Sequence, residues 1–186
     1  MNGVKMEKEL RIAIFVSRNK DNVAVEDFKQ RRKEFLTYKN SDELLDAFIK
    51  FARQGRPNEV SRFYMSVNTR DPLKTRDELV IKIMERGDQF DPTRVETLTV
   101  SAAAQAKCAL TKNWLFDVDT SEEEDIKVIE KYINLKTSNN YEKFRTYNHY
   151  GFIVYKHFDP RELIEMFPDK ITLKRDGMMY VYAFKN

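Results

Sequence analysis

An apolar run that closes on two aspartates, Trp114-Leu115-Phe116-Asp117-Val118-Asp119-Thr120, constrains the fold of this chain more than any other stretch. Side chains alternate between the faces of a β-strand. Read as a strand, the run therefore puts Trp114, Phe116 and Val118 on one face and Leu115, Asp117 and Asp119 on the other. The first face demands a covering apolar layer. The second delivers two carboxylates pointing the same way, with Cα atoms about 6.5–7 Å apart across two strand rises. A buried strand that aims acids from its C-terminal end suits a divalent-cation site of the kind that serves phosphoryl transfer.

The rest of the chain supplies the elements such a strand needs. Leu10 to Val16 is almost continuously apolar, as expected of a central strand. A helix is expected from about Val25 to Phe35, carrying Arg31, Arg32 and Lys33 on a solvated face or toward a phosphate. Asn40 and Glu43 have capping-box spacing ahead of Leu44, Leu45, Phe48, Ile49 and Ala52. Arg62 to Val67 reads as a strand. Asp71-Pro72 and Asp91-Pro92 then open helices closing near Gly87 and Leu110. Past the aspartates, Thr120 or Ser121 is expected to cap a helix through Ile126, Ile129 and Ile133, whose acidic first turn complements the helix dipole. Phe144–Tyr147 and Tyr150–Tyr155 read as two short strands or one bent hairpin, and Asp159-Pro160 starts a short helix. Ile171–Lys174 and Met178–Phe184 flank Arg175-Asp176-Gly177, whose Asp-Gly pair predicts a hairpin turn. The order predicts an α+β fold, a single domain with a mixed or antiparallel sheet flanked by helices.

Composition sets limits on function. At 186 residues, with 41% hydrophobic and 34% charged residues, the chain suits one folded, charge-coated domain, and 13 Phe with 9 Tyr predict an aromatic core. A net charge of +3 permits a polyanionic partner without demanding one. The single cysteine, Cys108, excludes an internal disulfide and any multi-cysteine zinc site, and its alanine-rich surroundings make it a small core residue. No run reaches the roughly 18–20 apolar residues of a membrane span. Met1 to Glu9 shows no signal-peptide pattern, so a cytoplasmic protein without membrane contact is expected.

With Asp117-Val118-Asp119 ending a strand, a helix after it, a strand pair, and Phe158-Asp159-Pro160-Arg161-Glu162-Leu163, the chain from about Phe63 onward resembles the archaeo-eukaryotic primase superfamily. More narrowly, it resembles small bacteriophage proteins related to those primases. The resemblance implies a primase-like (RRM-like) core over residues 61–186, with 1–60 as an N-terminal extension of strand and helices. It also implies Mg²⁺ or Mn²⁺ bound by Asp117 and Asp119, and a cytoplasmic setting in a phage-infected bacterium. In that superfamily a later strand supplies a histidine to the nucleotide phosphates. Here Gly151 stands at the expected position and His149 lies two residues earlier, on the same face of a strand. Asp159 is the candidate for a further acid, although Asp159-Pro160-x-Glu162 is also a helix start.

The candidate catalytic residues are thus Asp117, Asp119 and His149. Arg70, Arg145, Lys156 and Lys174 are candidates to hold triphosphate or template, because neutralising and positioning phosphate carries most of phosphoryl-transfer catalysis. Tyr147, Tyr150, Tyr155 and Tyr180 interleave with these bases as in a single-strand stacking surface. The plainer alternative makes the aspartates hydrogen-bond acceptors at a strand end, Asp119 capping the next helix, and the tyrosines core. The partners this implies are nucleotide or single-stranded nucleic acid, and a host or phage protein. Three readings follow: a nucleotidyltransferase, a catalytically inactive nucleic-acid- or protein-binding module that is a phage regulator or a host-factor inhibitor, and a metal-dependent nuclease.

Overall fold

The computed structural model describes residues 8–186, so most of Met1 to Glu9 lies outside the described residues. Eight strands and five α-helices follow in the order β1 (Arg11–Ser17), β2 (Arg31–Thr37), α1 (Ser41–Ala52), β3 (Val60–Ser66), α2 (Pro72–Arg86), α3 (Val95–Ala103), β4 (Trp114–Val118), α4 (Glu123–Thr137), β5 (Tyr141–Arg145), β6 (Tyr150–Val154), α5 (Arg161–Met166), β7 (Ile171–Lys174) and β8 (Met178–Lys185). The α+β class is as expected, in a single compact domain. The strands divide between two four-stranded sheets, β2-β1-β3-β8 and β5-β6-β4-β7, and every pairing is antiparallel.

The first sheet is covered on both faces, which is why β1 is apolar throughout. Ala13, Phe15, Phe63 and Met65 pack against Leu44, Phe48 and Ala52 of α1. Ile12, Ile14 and Val16 pack on the other face against Val100 and Ala103 of α3. Asn40 and Glu43 form the capping box that starts α1, and Asp71 accepts from the amides of Leu73 and Lys74 to start α2. The second sheet buries Phe116, Val118, Phe152 and Val154 against Ile129 and Ile133 of α4 and Leu163 of α5. Leu115 and Ile153 on its reverse face meet Val67 from the end of β3, and this small cluster joins the two sheets.

Four local expectations are corrected. Residues 25–35 do not form a helix: the chain loops to Gln30, and Arg31–Thr37 pairs with β1 from end to end. An edge strand lets charged residues occupy its positions without burying them, and the extended backbone sends Arg31 and Lys33 to one side and Arg32 to the other. The helix opened by Asp91-Pro92 is short. A 3₁₀ turn precedes α3, which stops at Ala103. The helix after the aspartates starts at Glu123, later than a cap at Thr120 or Ser121 requires. Thr120 Oγ1 accepts instead from the amide of Glu122, just outside the helix.

Most consequentially, Ile171–Lys174 and Met178–Phe184 do not pair with each other. β7 pairs with β4, β8 pairs with β3, and Arg175-Asp176-Gly177 carries the chain from one sheet to the other. Gly177 suits the crossing because a Cβ there would come within 2.8 Å of Leu115 Cδ2. Its carbonyl accepts from the amide of Val67. Residues 1–60, expected as an extension, contribute β1 and β2 to the same sheet as β3 and β8.

Candidate functional site

The two sheets face each other across a cleft of about 790 Å³, within the range of small-ligand sites. From the second sheet, β4 contributes Leu115, Asp117 and Asp119 to its wall, the face anticipated from the strand alternation. The β5–β6 turn adds Thr146, Tyr147, Asn148 and His149, and β7 adds Lys174. Opposite them, the first sheet and the loop after β1 present Arg18, Lys20, Arg32, Arg62, Tyr64 and Tyr180. The acids of the pair and most of the cations thus come from opposite walls.

Asp117 is half-buried, and its Oδ2 accepts from Lys174 Nζ at 2.6 Å. Asp119 is exposed, and its amide donates to the Lys170 carbonyl, holding the backbone just past β4 against the turn into β7. Its carboxylate does not cap α4, which has no side-chain cap. His149 sits across the cleft mouth, with Nδ1 3.2 Å from Ser121 Oγ. Reciprocal bonds with Thr146, from the His149 amide to Thr146 Oγ1 and from the Thr146 amide to the His149 carbonyl, shape its turn.

Gly151 lies directly opposite Asp117 in the β4–β6 ladder. The space a side chain would need there is filled by the Phe144 ring, which a Cβ at this position would overlap. A histidine at 151 has no room, and the histidine that reaches the cleft is His149 in the turn.

Lys174 is the expected phosphate-holding candidate that lines the cleft; three others do not. Arg70 is buried and makes a bidentate pair with Asp176, both bonds 2.8 Å, so it braces the sheet-to-sheet crossing from behind. Arg145 is exposed at the end of β5 and outside the cleft lining. Lys156 follows the end of β6 that pairs with Trp114, at the opposite end of the sheet from Asp119. Asp159 also lies elsewhere. Arg161 holds its carboxyl down at about 2, and Asp159 accepts from the Arg161 amide at the start of α5. His157 stacks on Trp114 with ring centroids 4.3 Å apart.

Of the four tyrosines, Tyr147 and Tyr180 line the cleft. Tyr150 packs beside the core of the second sheet. Tyr155 donates to Glu142 at 2.9 Å, and burial together with that carboxylate pushes its phenol up to about 12.

The aromatic and cationic groups of the first wall are organised together and with Tyr147 of the second. Arg62 lies over the Tyr147 ring at 4.4 Å from its centroid, and Arg18 lies over Tyr64 at 5.8 Å. Tyr64 and Tyr180 meet edge to face, and burial pushes the Tyr180 phenol up. Asp21 ties Arg18 to Arg62, with bonds of 2.8 and 2.5 Å. Lys20 has no ion pair among the described residues. Arg18, Lys20, Arg62 and Tyr64 were not singled out from sequence. They fall in two segments far apart in the chain, and only the alternation of Arg62 and Tyr64 along β3 hints that they share a face.

Two carboxylates suit a cation that keeps several waters and takes the rest of its ligands from phosphate. They do not make an all-protein cage: the described residues hold no group of three or more His, Cys, Asp or Glu placed to bind a metal. Nor is any helix among them long and apolar enough to cross a membrane.

No family model, curated protein or solved structure matches the chain. The primase resemblance therefore rests on the motif residues themselves.

Proposed function

We propose that the cleft between the sheets binds the phosphates of a nucleotide or of single-stranded nucleic acid, with Mg²⁺ or Mn²⁺ at Asp117 and Asp119. The observation that carries this reading is the facing of two aspartates on one strand by Arg18, Lys20, Arg32 and Arg62 on the opposite wall, with tyrosines among them. A divalent cation at the dyad supplies charge neutralisation for phosphate oxygens. The guanidinium groups take anionic oxygens in paired hydrogen bonds, for which their planar fork is suited. With a divalent cation at the dyad, Lys174 would be free to take a phosphate oxygen. Tyr147 and Tyr180 offer ring faces for a base, and His149, held by Ser121 and its turn, donates to a phosphate at the mouth.

On this reading the protein is a phage primase-like one working in the cytoplasm of an infected bacterium. Nucleotidyl transfer is the reaction such a constellation serves. A second reading, a catalytically inactive binding module of the same fold that regulates a phage process or inhibits a host factor, is favoured by one specific contact. The Lys174 ammonium already neutralises the half-buried Asp117, and Gly151 leaves no histidine beside it.

The test is the melting temperature of the wild type and of Asp117→Asn/Asp119→Asn, each with Mn²⁺ and nucleoside triphosphates or an oligonucleotide. A ligand at a hundredfold excess over its dissociation constant adds about 2.7 kcal/mol to the folded state. A metal-dependent rise that the double variant loses supports the dyad. A rise retained by the double variant, and lost on Arg18→Ala/Arg62→Ala, favours the metal-free module. No rise in either protein sinks both. Longer strands after incubation identify a transferase and shorter ones a nuclease.

A further inference from the structure

Helix α2 turns its polar side inward. Its buried residues are Thr75 and Glu78, and Glu78 forms ion pairs with Lys82 and Lys107. Leu79 and Ile83 are half-buried beside them, but four apolar residues point outward: Leu73 is 63% exposed, Val80 49%, Ile81 45% and Met84 76%. At 3.6 residues per turn, Leu73, Val80 and Met84 fall within about 40° of one another, with Ile81 alongside, so they form one stripe about 16 Å long. Singly exposed apolar residues are ordinary, but a stripe on the outer face of a helix is the reverse of how such a helix normally sits.

We propose that this stripe is a homodimer interface, in which α2 packs antiparallel against α2 of a second copy about a twofold axis. The charges beside the stripe select that occupant. Lys74, near the start of the helix, and Glu85, near its end, both lie about 100–120° around from Leu73, on the same flank. A twofold axis across the helix runs the copies antiparallel and sets Lys74 against Glu85 of the partner subunit, and the reverse, in two equivalent pairs.

Both groups are available for this. Glu85 has no ion pair among the described residues, and the nearest carboxylate to Lys74 is that of Asp71 at 4.0 Å. Asp77, the charge within the stripe, carries its own counter-ion in Arg76 at 2.6 Å. A parallel partner would set this flank against the opposite flank of the other helix, and neither pair would form.

The four side chains expose an apolar patch on the order of 400 Å², about half of what one partner brings to a standard interface, which places the dimer among weak, transient ones. No cleft-lining residue lies on α2, so dimerisation leaves the cleft open and stands apart from the function proposed above.

Sedimentation equilibrium from about 1 to 300 µM, a range suited to a small interface, tests this directly. The wild type is expected to pass from monomer to dimer, and Leu73→Glu/Met84→Glu to stay monomeric with an unchanged circular dichroism spectrum. Lys74→Glu and Glu85→Lys each weaken self-association about tenfold. An equimolar mixture of these two variants recovers wild-type dimerisation as a heterodimer, because both flanking pairs are then of opposite charge. A monomeric wild type throughout the range overturns the proposal. So does a dimer that survives Leu73→Glu/Met84→Glu. A mixture of the charge variants that associates no better than either alone overturns the antiparallel pairing.

Discussion

Both sheets have four antiparallel strands, but only the second is made from one stretch of chain. Strands β4 to β7 run from Trp114 to Lys174, whereas the first sheet joins β1, β2 and β3 to β8, which begins at Met178. The first sheet is packed by α1 on one face and by α3 on the other. The second buries one face against α4 and α5 and leaves β4's acids on the other, toward the cleft. The difference separates two tasks. The first wall, whose cleft-side face α3 covers only in part, holds cations through a network anchored by Asp21. The wall covered on one face holds two acids at a strand end, where water and ligand reach them.

The largest effect that bears on this comparison comes from the two cores. Phe15→Ala in the first sheet and Phe116→Ala in the second should each cost about 3–5 kcal/mol, because both rings are buried in close-packed clusters. Both losses should be seen in a single urea transition. Two transitions, one moved by each variant, would break the account of the sheets as parts of one cooperative unit.

Next in size is the brace between them. Arg70→Met should cost about 2–4 kcal/mol by leaving Asp176 without its bidentate partner, again in denaturant unfolding. A near-neutral result would mean that the crossing does not depend on that pair.

One acid-sensitive contact should lie beside the first sheet. Burial pushes the Glu59 carboxyl up, but the bonds from the Arg56 amide and the Arg31 side chain outweigh it and hold the group below its ordinary 4.5. A lowered carboxyl adds stability that is fully present above the unfolded-state value and is lost as pH falls through the folded-state one. Glu59→Gln should therefore cost about 1–2 kcal/mol at neutral pH, and the gap from wild type should close below about pH 4 in melting curves.

The smallest expected stability change is at Lys174→Met, about 0–1 kcal/mol, since its pair with Asp117 is partly exposed. If that lysine guards the dyad, the same variant binds Mn²⁺ several-fold more tightly in a titration followed by the free-ion spectrum. Unchanged Mn²⁺ affinity would mean that the ion pair does not compete for the dyad.

Much of the second sheet was legible because its signals are local. The alternation from Trp114 to Asp119 set the faces correctly, and the strand pair before Asp159 is the β5–β6 hairpin. The capping box at Asn40 and the Asp71-Pro72 start were equally readable, since each is satisfied within a few residues. The first sheet was harder. Arg31-Arg32-Lys33 looked helical because a charged edge strand lacks the apolar alternation that marks a half-buried one. Asp176-Gly177 did mark a change of direction, but turn chemistry does not say which sheet the next strand joins. The cations of the cleft were hidden for the same reason: Arg18, Arg32 and Arg62 meet only after β1, β2 and β3 have paired. The pairing of Arg70 with Asp176 is not legible either, because the two are distant in sequence.

The transfer of the chain at Gly177 also bears on how the protein is born. During synthesis from the N-terminus, β3 leaves the ribosome long before β8, its neighbour on one side, has been made. Until then that flank of the nascent first sheet is an unpaired edge, able to template wrong strands from the same or another chain. The second sheet waits almost as long, because only three residues separate the end of β7 from the start of β8. Both walls of the cleft should thus be completed together, when the last two strands, β7 and β8, have been made.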